Sequence, residues 1–275
     1  MNPVVRNIQL PGRGQLEFCE QGDPTGTPVI ALHGVTDSWR SFLPVMPHLP
    51  RSLHLYALTQ RGHGDSAKPA HGYRPHDFAG DVAAFMDAMK IERAVVVGHS
   101  MGSVNALRFA IDNASRVLAL VLAGSMPWFG RHAEVVEFWR NDIASLTDPV
   151  APDFAREFQQ STLAQPIAPG FLDTAVAESL KVPAHVWRAA FDGFMQDDFS
   201  ADLPSIAAPT LIVWGRHDAY CRYADQQALL AALTNSRLVE YADAGHAVHW
   251  EEPQRFANDL TTFVSEAAAL PAAAH

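Results

Sequence analysis

Cysteine is almost absent from this chain. Cys19 and Cys221 are the only two, they stand far apart, and no CxxC or Cys/His ligand spacing accompanies them. That excludes a disulfide framework and a zinc module, and it predicts two reduced thiols in a cytoplasmic protein. Basic charge is also scarce, with 20 Lys and Arg against 30 Asp and Glu and a net charge of −10. No basic run offsets that field, so neither a nucleic-acid backbone nor an anionic membrane surface is an expected partner. No apolar stretch reaches the length of a membrane-spanning helix. Residues 1–21 have no lysine-rich start and no apolar run of signal-peptide length. Internal repeats and low-complexity linkers are missing as well. The 267–275 tail is mostly alanine and is expected to fray.

What is present is an apolar, foldable chain of 275 residues, 48% hydrophobic and 18% charged. That length suits one large domain, or one domain carrying an insertion. Segments 4–10 and 15–21 flank the turn Pro11-Gly12-Arg13-Gly14 and read as two strands. Short apolar runs then alternate with longer amphipathic segments. Strands are predicted at 29–32, 53–58, 94–97, 117–122, 210–214 and 237–241. Helices are predicted at 78–90, 101–111, 222–233 and 253–267. Runs that are apolar on both faces and alternate with helices predict a mostly parallel sheet, about eight-stranded, with helices on both faces: an α/β fold. The alternation breaks from about 126 to 204, where aromatics and helix formers replace strands. The expected organisation is therefore an α/β core of 1–125 and 205–275 with a helical cap inserted at 126–204.

The segment Gly98-His99-Ser100-Met101-Gly102 is a G-x-S-x-G between a buried strand and a helix. In that setting the serine occupies a tight turn that lifts its hydroxyl above the sheet, and side chains at 98 and 102 would collide with the neighbouring strand and helix. Ser100 is thus the candidate nucleophile. The Met101 N–H, at the start of a helix, is a candidate oxyanion donor. A second donor is expected from His33-Gly34-Val35 after the strand ending at Leu32, with the Val35 N–H in that role and His33 as a hydrogen bonder that braces the loop rather than a catalyst.

A serine hydroxyl needs a base at neutral pH, and thirteen histidines are available. In this architecture the order is nucleophile, acid, histidine. That order selects Asp218, in Trp214-Gly215-Arg216-His217-Asp218 after one strand, and His246, in Ala242-Asp243-Ala244-Gly245-His246 after the next. His249 lacks a preceding glycine and is a weaker base candidate. His217 is expected to point away, His99 to pack inside the turn, and Asp243 to serve the turn. The strand after the nucleophile helix ends at Ala123-Gly124-Ser125, with no carboxylate to compete with Asp218.

These motifs together resemble the α/β-hydrolase superfamily, in its cofactor-free serine esterase and lactonase-like branch, over about residues 15–266. His33-Gly34 resembles the family's oxyanion loop. Arg61-Gly62-His63-Gly64-Asp65-Ser66 resembles its R-G-x-G-x-S turn, and Gly245-His246 with Glu251 and Pro253 its G-H-x(4)-E-x-P ending. A serine at position 100 departs from the dehalogenases and epoxide hydrolases of this fold, which carry aspartate there. No S-G-x-G-x-G follows His33, as it does in ring-fission C–C hydrolases. Gln60 departs from the expected pattern and is read as a support for its turn. The resemblance implies an acyl-enzyme mechanism on a carboxylic ester or lactone, with a C–C bond hydrolase or cofactor-free perhydrolase as the alternative and a non-catalytic binder as a remote one.

No metal site and no dinucleotide fingerprint is found, so no cofactor is expected. The expected ligand is a small, fairly apolar ester or lactone. His33, Trp128, Phe129 and Trp250 are the predicted pocket residues. Arg131, Arg140 and Arg188 are each candidates to hold one substrate carboxylate. The protein is expected to be a monomer or homodimer.

Overall fold

The computed structural model describes residues 3–269. Eight strands form one sheet: β1 (Val4–Leu10), β2 (Gly14–Gln21), β3 (Thr27–Leu32), β4 (Leu53–Leu58), β5 (Ala94–His99), β6 (Val117–Ala123), β7 (Thr210–Gly215) and β8 (Ser236–Tyr241). Their order across the sheet is β1-β2-β4-β3-β5-β6-β7-β8. The hairpin β1–β2 and the β2–β4 pair are antiparallel, and the remaining pairs are parallel. The inner parallel strands β5, β6 and β7 are almost wholly buried and apolar because both of their faces are covered, whereas the edge strand β8 carries Arg237 and Glu240.

Side chains alternate across the sheet with period two. Ile30, Leu32, Val96, Leu120, Leu122 and Ile212 face one cluster. Val29, Ala31, Val95, Val97, Val121 and Val213 face the other. The first cluster takes in helices α1 (Pro75–Met89) and α2 (Met101–Asp112) through Phe78, Val82, Phe85, Val104 and Leu107. The second is closed by the last helix through Phe256, Leu260, Phe263 and Val264, and by Trp39 and Phe42.

Between β6 and β7 the chain forms helices and no strand: α3 (Ala133–Phe138), a π-helical turn (Trp139–Ile143), α4 (Pro152–Gln160), α5 (Phe171–Ser179) and α6 (Ala184–Gln196). The core then resumes with α7 (Tyr223–Ala232), α8 (Val248–Glu251) and α9 (Pro253–Ala269). Helix α1 begins three residues before its predicted start. Pro75 suits the first helical turn, and Asp77 Oδ2 accepts from the Arg74 N–H at 3.0 Å, so the polar Arg74-Pro75-His76-Asp77 stretch caps the helix. Of the alanine-rich tail, 267–269 continue α9, and 270–275 lie outside the described residues.

Register brings the important loops together. Leu32 of β3 pairs with Gly98 of β5, His99 pairs with Ala123, Ala123 pairs with Val213, and Gly215 pairs with Tyr241. Five parallel strands therefore end in line along one edge. The strand order also reverses between β3 and β5, which opens a crevice at their carboxyl ends.

The Arg61 turn is braced from beneath. The Arg61 guanidinium grips Asp81 of α1 with two N–H donors, and Arg13 reaches the same carboxylate at 3.0 Å. The Arg61 and Asp81 side chains are only 10% and 7% exposed, so removing one partner strands the other without water. Asp81→Ala is expected to lower unfolding stability by about 3–5 kcal/mol. Urea denaturation checks this, and a loss below about 1 kcal/mol would show that the pair contributes little.

Candidate active site

Ser100 stands at the junction of β5 and α2 with φ 52° and ψ −120°, a region that non-glycine residues avoid. Two glycines make the turn possible. A Cβ on Gly98 would lie 2.3 Å from the Gly102 carbonyl oxygen, and one on Gly102 would lie 2.2 Å from that of Leu32 in β3. The helix is thus pressed directly onto the neighbouring strand, and the half-buried Ser100 side chain stands at the sheet edge. The turn is tied back to the sheet by the Ser100 N–H, which donates to the Ala123 oxygen at 3.0 Å.

His246 lies in the loop after β8. Its Nδ1 is 2.9 Å from Asp218 Oδ2. Asp218 itself is fixed: its Oδ1 accepts from the backbone N–H groups of Tyr220 and Cys221 at 2.8 and 2.9 Å. An Nδ1–H donated to the carboxylate leaves Nε2 as the free basic nitrogen. Ser100 and His246 line one cavity.

The other histidines near this point cannot serve as well. Burial drives His33 and His99 well below the usual imidazole range, and drives His249 down to about 3. Their roles are structural. His99 Nε2 sits 3.2 Å from the His246 backbone oxygen, and His249 Nε2 sits 3.0 Å from Ser41 Oγ. His217 and Asp243 are exposed.

The N–H groups of Val35 and Met101 make no backbone hydrogen bond among the described residues. The first belongs to a loop with an unusual shape. Thr36 has φ 71°, and its hydroxyl lies 3.1 Å from Ser179 Oγ of α5. Beneath it, His33 is fully buried and turned away from the cavity. Its Nε2 accepts from the Gln60 N–H at 2.9 Å, its carbonyl accepts from Gln60 Nε2 at 2.8 Å, and Asn105 donates to Gln60 Oε1 at 2.7 Å. Gln60 therefore locks the loops after β3 and β4 to α2.

The cavity encloses about 530 Å³ of empty space, part of it open to solvent. Phe129 and Trp250 line it. His33 and Trp128 do not, which corrects the expectation for both. The Trp128 indole N–H donates to the Met195 carbonyl in α6, so this residue packs within the segment between β6 and β7. Phe138, Phe158, Phe191 and Phe194 supply the rest of an aromatic wall, with Val135 beside them. Among the described residues, no arginine or lysine lines the cavity. Arg188 donates to the Leu146 carbonyl, Arg131 lies 3.6 Å from Asp225, and Arg140 is exposed.

Several polar lining residues were not found from sequence: Asp37, Gln159, Thr162 and Tyr220. The Thr162 carbonyl accepts from both His246 N–H and Ala247 N–H, at 2.9 and 3.1 Å. Glu251 repeats that link, accepting from Gly245 N–H and Ala164 N–H at 2.9 and 3.0 Å. The histidine loop is thereby stitched to the segment after α4.

Among the described residues, one group could bring three metal-ligand atoms within 4.8 Å of one another: Asp218, Cys221 and His246. Burial and the adjacent Asp218 hold the Cys221 thiol well above its usual range, so it stays protonated. The carboxylate is already committed to His246 and two backbone donors.

A family model described as the alpha/beta hydrolase fold matches residues 27–253. The chain belongs to this family. Among other members of the α/β-hydrolase fold, a 2-hydroxy-6-oxononadienedioate/2-hydroxy-6-oxononatrienedioate hydrolase from Paraburkholderia xenovorans is 28% identical, with 95% of this chain and 94% of that protein covered. The structure of an esterase from Exiguobacterium antarcticum superposes with a TM-score of 0.86 at 23% identity, over 95% and 100% of the two chains. Est816, an N-acyl homoserine lactone degrading enzyme, superposes with a TM-score of 0.80 at 27% identity, over 94% and 100%. No helix among the described residues is long and apolar enough to cross a membrane.

Asp37 has an unusual environment. Burial pushes its carboxyl up to about 7, although Gln159 and Ser41 donate to it. The folded state therefore keeps a proton that the unfolded chain releases near pH 4. The contribution of Asp37 to wild-type stability falls as pH rises through that window, by up to about 1.4 kcal/mol per pH unit. Asp37→Asn lacks this titration. Its stability relative to wild type is expected to rise between about pH 4 and pH 7 and to level off above. Chemical denaturation across that range tests this, and a pH-independent difference refutes it.

Proposed function

We propose that this protein is a serine hydrolase of carboxylic esters or lactones, acting through an acyl-enzyme. The observation that carries this reading is the strained Ser100 in one cavity with a His246 imidazole bonded to Asp218. In this reading Ser100 Oγ attacks the substrate carbonyl and His246 Nε2 takes its proton. Asp218 orients the ring and stabilises the imidazolium that forms. The carbonyl oxygen becomes an oxyanion held by the N–H groups of Val35 and Met101. His246 then returns the proton to the leaving alcohol. It next activates water, which attacks the acyl carbon and frees Ser100.

We further propose that residues 126–204 act as the cap that selects the substrate. The aromatic wall fits a small, fairly apolar acyl or alcohol group. A C–C bond hydrolase or perhydrolase using the same three residues is the second reading, supported by the relationship to the Paraburkholderia xenovorans hydrolase. Among the described residues no arginine or lysine lines the cavity to receive a second carboxylate, and this favours the ester or lactone.

Hydrolysis of p-nitrophenyl esters from acetate to decanoate tests the proposal. Ser100→Ala is expected to abolish turnover and labelling by a fluorophosphonate probe. Asp218→Asn is expected to lower kcat by about 10³–10⁴-fold, as loss of the orienting acid does in such triads. Ester turnover that persists in Ser100→Ala would sink the mechanism. Cleavage of a vinylogous diketone without ester turnover would favour the second reading.

A further inference from the structure

The Asp37 carboxyl is a polar group that the proposed chemistry does not use. It lines the cavity yet is only 4% exposed as a residue. Its Oδ1 accepts from Gln159 Nε2 at 2.9 Å, and its Oδ2 has one long contact, with Ser41 Oγ at 3.3 Å. The Ser41 hydroxyl has a competing acceptor, His249 Nε2, at 3.0 Å. Asp37 forms no ion pair among the described residues, and the charged groups that influence it are His246 and Glu178. A buried carboxyl with so few donors is costly unless another donor completes its shell.

Gln159 is held in a fixed orientation. Its Nε2 donates to Asp37, to Ser179 Oγ at 2.8 Å and to Thr36 Oγ1 at 3.3 Å. In its ionised form, above about pH 7, the Asp37 carboxylate only accepts, so the amide nitrogen points there and the carbonyl oxygen points elsewhere. That oxygen accepts no hydrogen bond among the described residues, and Gln159 lines the cavity. The two side chains therefore present acceptors, and no cation, close to the loop that carries the Val35 N–H. Asp37 Oδ2 lies 3.2 Å from where a Cβ on Gly34 would stand.

Resting on the serine-hydrolase reading above, we propose that Asp37, oriented by Gln159, is the specificity-determining residue of the cavity. It receives a hydroxyl or amide N–H that the substrate carries within a few bonds of its scissile carbonyl. The same carboxyl repels a substrate carboxylate at that place. The preferred substrate thus has an apolar body against the phenylalanine wall and one hydrogen-bond donor beside the ester or lactone group.

At about pH 8, where Asp37 is ionised, matched esters test this in two series, with the variable group on the acyl chain in one and on the alcohol in the other. Each series compares a plain chain, the same chain with a hydroxyl, and the same chain with a carboxylate; p-nitrophenyl butyrate, 3-hydroxybutyrate and hemisuccinate form the acyl set. In one series, wild type is expected to favour the hydroxylated ester over the plain one by about 10-fold or more in kcat/KM, the scale of a hydrogen bond to a charged acceptor. It is also expected to turn over the carboxylate ester least. Asp37→Ala should lose the hydroxyl preference, chiefly through KM, so that the ratio of hydroxylated to plain ester falls toward one whatever happens to the plain-ester rate. Asp37→Asn should gain on the carboxylate ester. A purely structural role would lower all rates together and leave these ratios unmoved. Equal treatment of all three groups in both series by wild type, with Ser100-dependent turnover intact, overturns this proposal alone. Absence of Ser100-dependent turnover on every ester overturns the reading beneath it.

Discussion

Everything at this site depends on how closely the α2 backbone approaches β3. The Gly98 and Gly102 positions leave no room for a methyl group against the Gly102 and Leu32 carbonyl oxygens. That contact bends the chain at Ser100 into a conformation which a free peptide would leave at once. Sheet register supplies the opposing force, because β5 is clamped between β3 and β6 over most of its length. The strain is borne by fully buried strands on either side, where many interactions fix the backbone.

Around that fixed point the other groups are attached by different means. Asp218 is pinned by its own loop through two N–H donors. The histidine loop relies on Thr162 and Glu251, and the loop carrying Val35 relies on Gln60 below and on Ser179 and Gln159 above. Core and inserted helices thus share the task of positioning. The core holds Ser100 and Asp218, while the inserted segment contributes to the placement of His246 and Thr36.

That division explains what could be read in the sequence. Gly98-His99-Ser100-Met101-Gly102 announces itself because its chemistry is local: strand, glycines, serine and helix stand within a few residues. Asp218 and His246 follow from chain order, each after a strand recognisable by its apolar run. The sheet could be read for the same reason, although β5 runs on to His99 rather than ending at 97. Asp37 and Gln159 could not be found this way. An aspartate in a polar loop looks like a turn residue, and a glutamine on a helix looks solvated. Their meeting joins positions separated by 122 residues and depends on how α4 lies over the core. His33 and Trp128 were misplaced by the opposite error. Nearness to the site along the chain put them in the pocket, whereas hydrogen bonds to Gln60 and Met195 turn both away from it.

The two-sided grip of Thr162 and Glu251 on the histidine loop bears on how such an enzyme can be diversified. Exchanging the inserted segment wholesale with that of another protein would change the lining of the cavity and remove the Thr162 acceptor and the Ala164 donor in the same cut. A productive graft must keep 159–164 with the recipient and place its junctions outside that stretch. The variable portion of the insert is then α3 and α6, because α5 carries the Ser179 hydroxyl that holds Thr36 and Gln159.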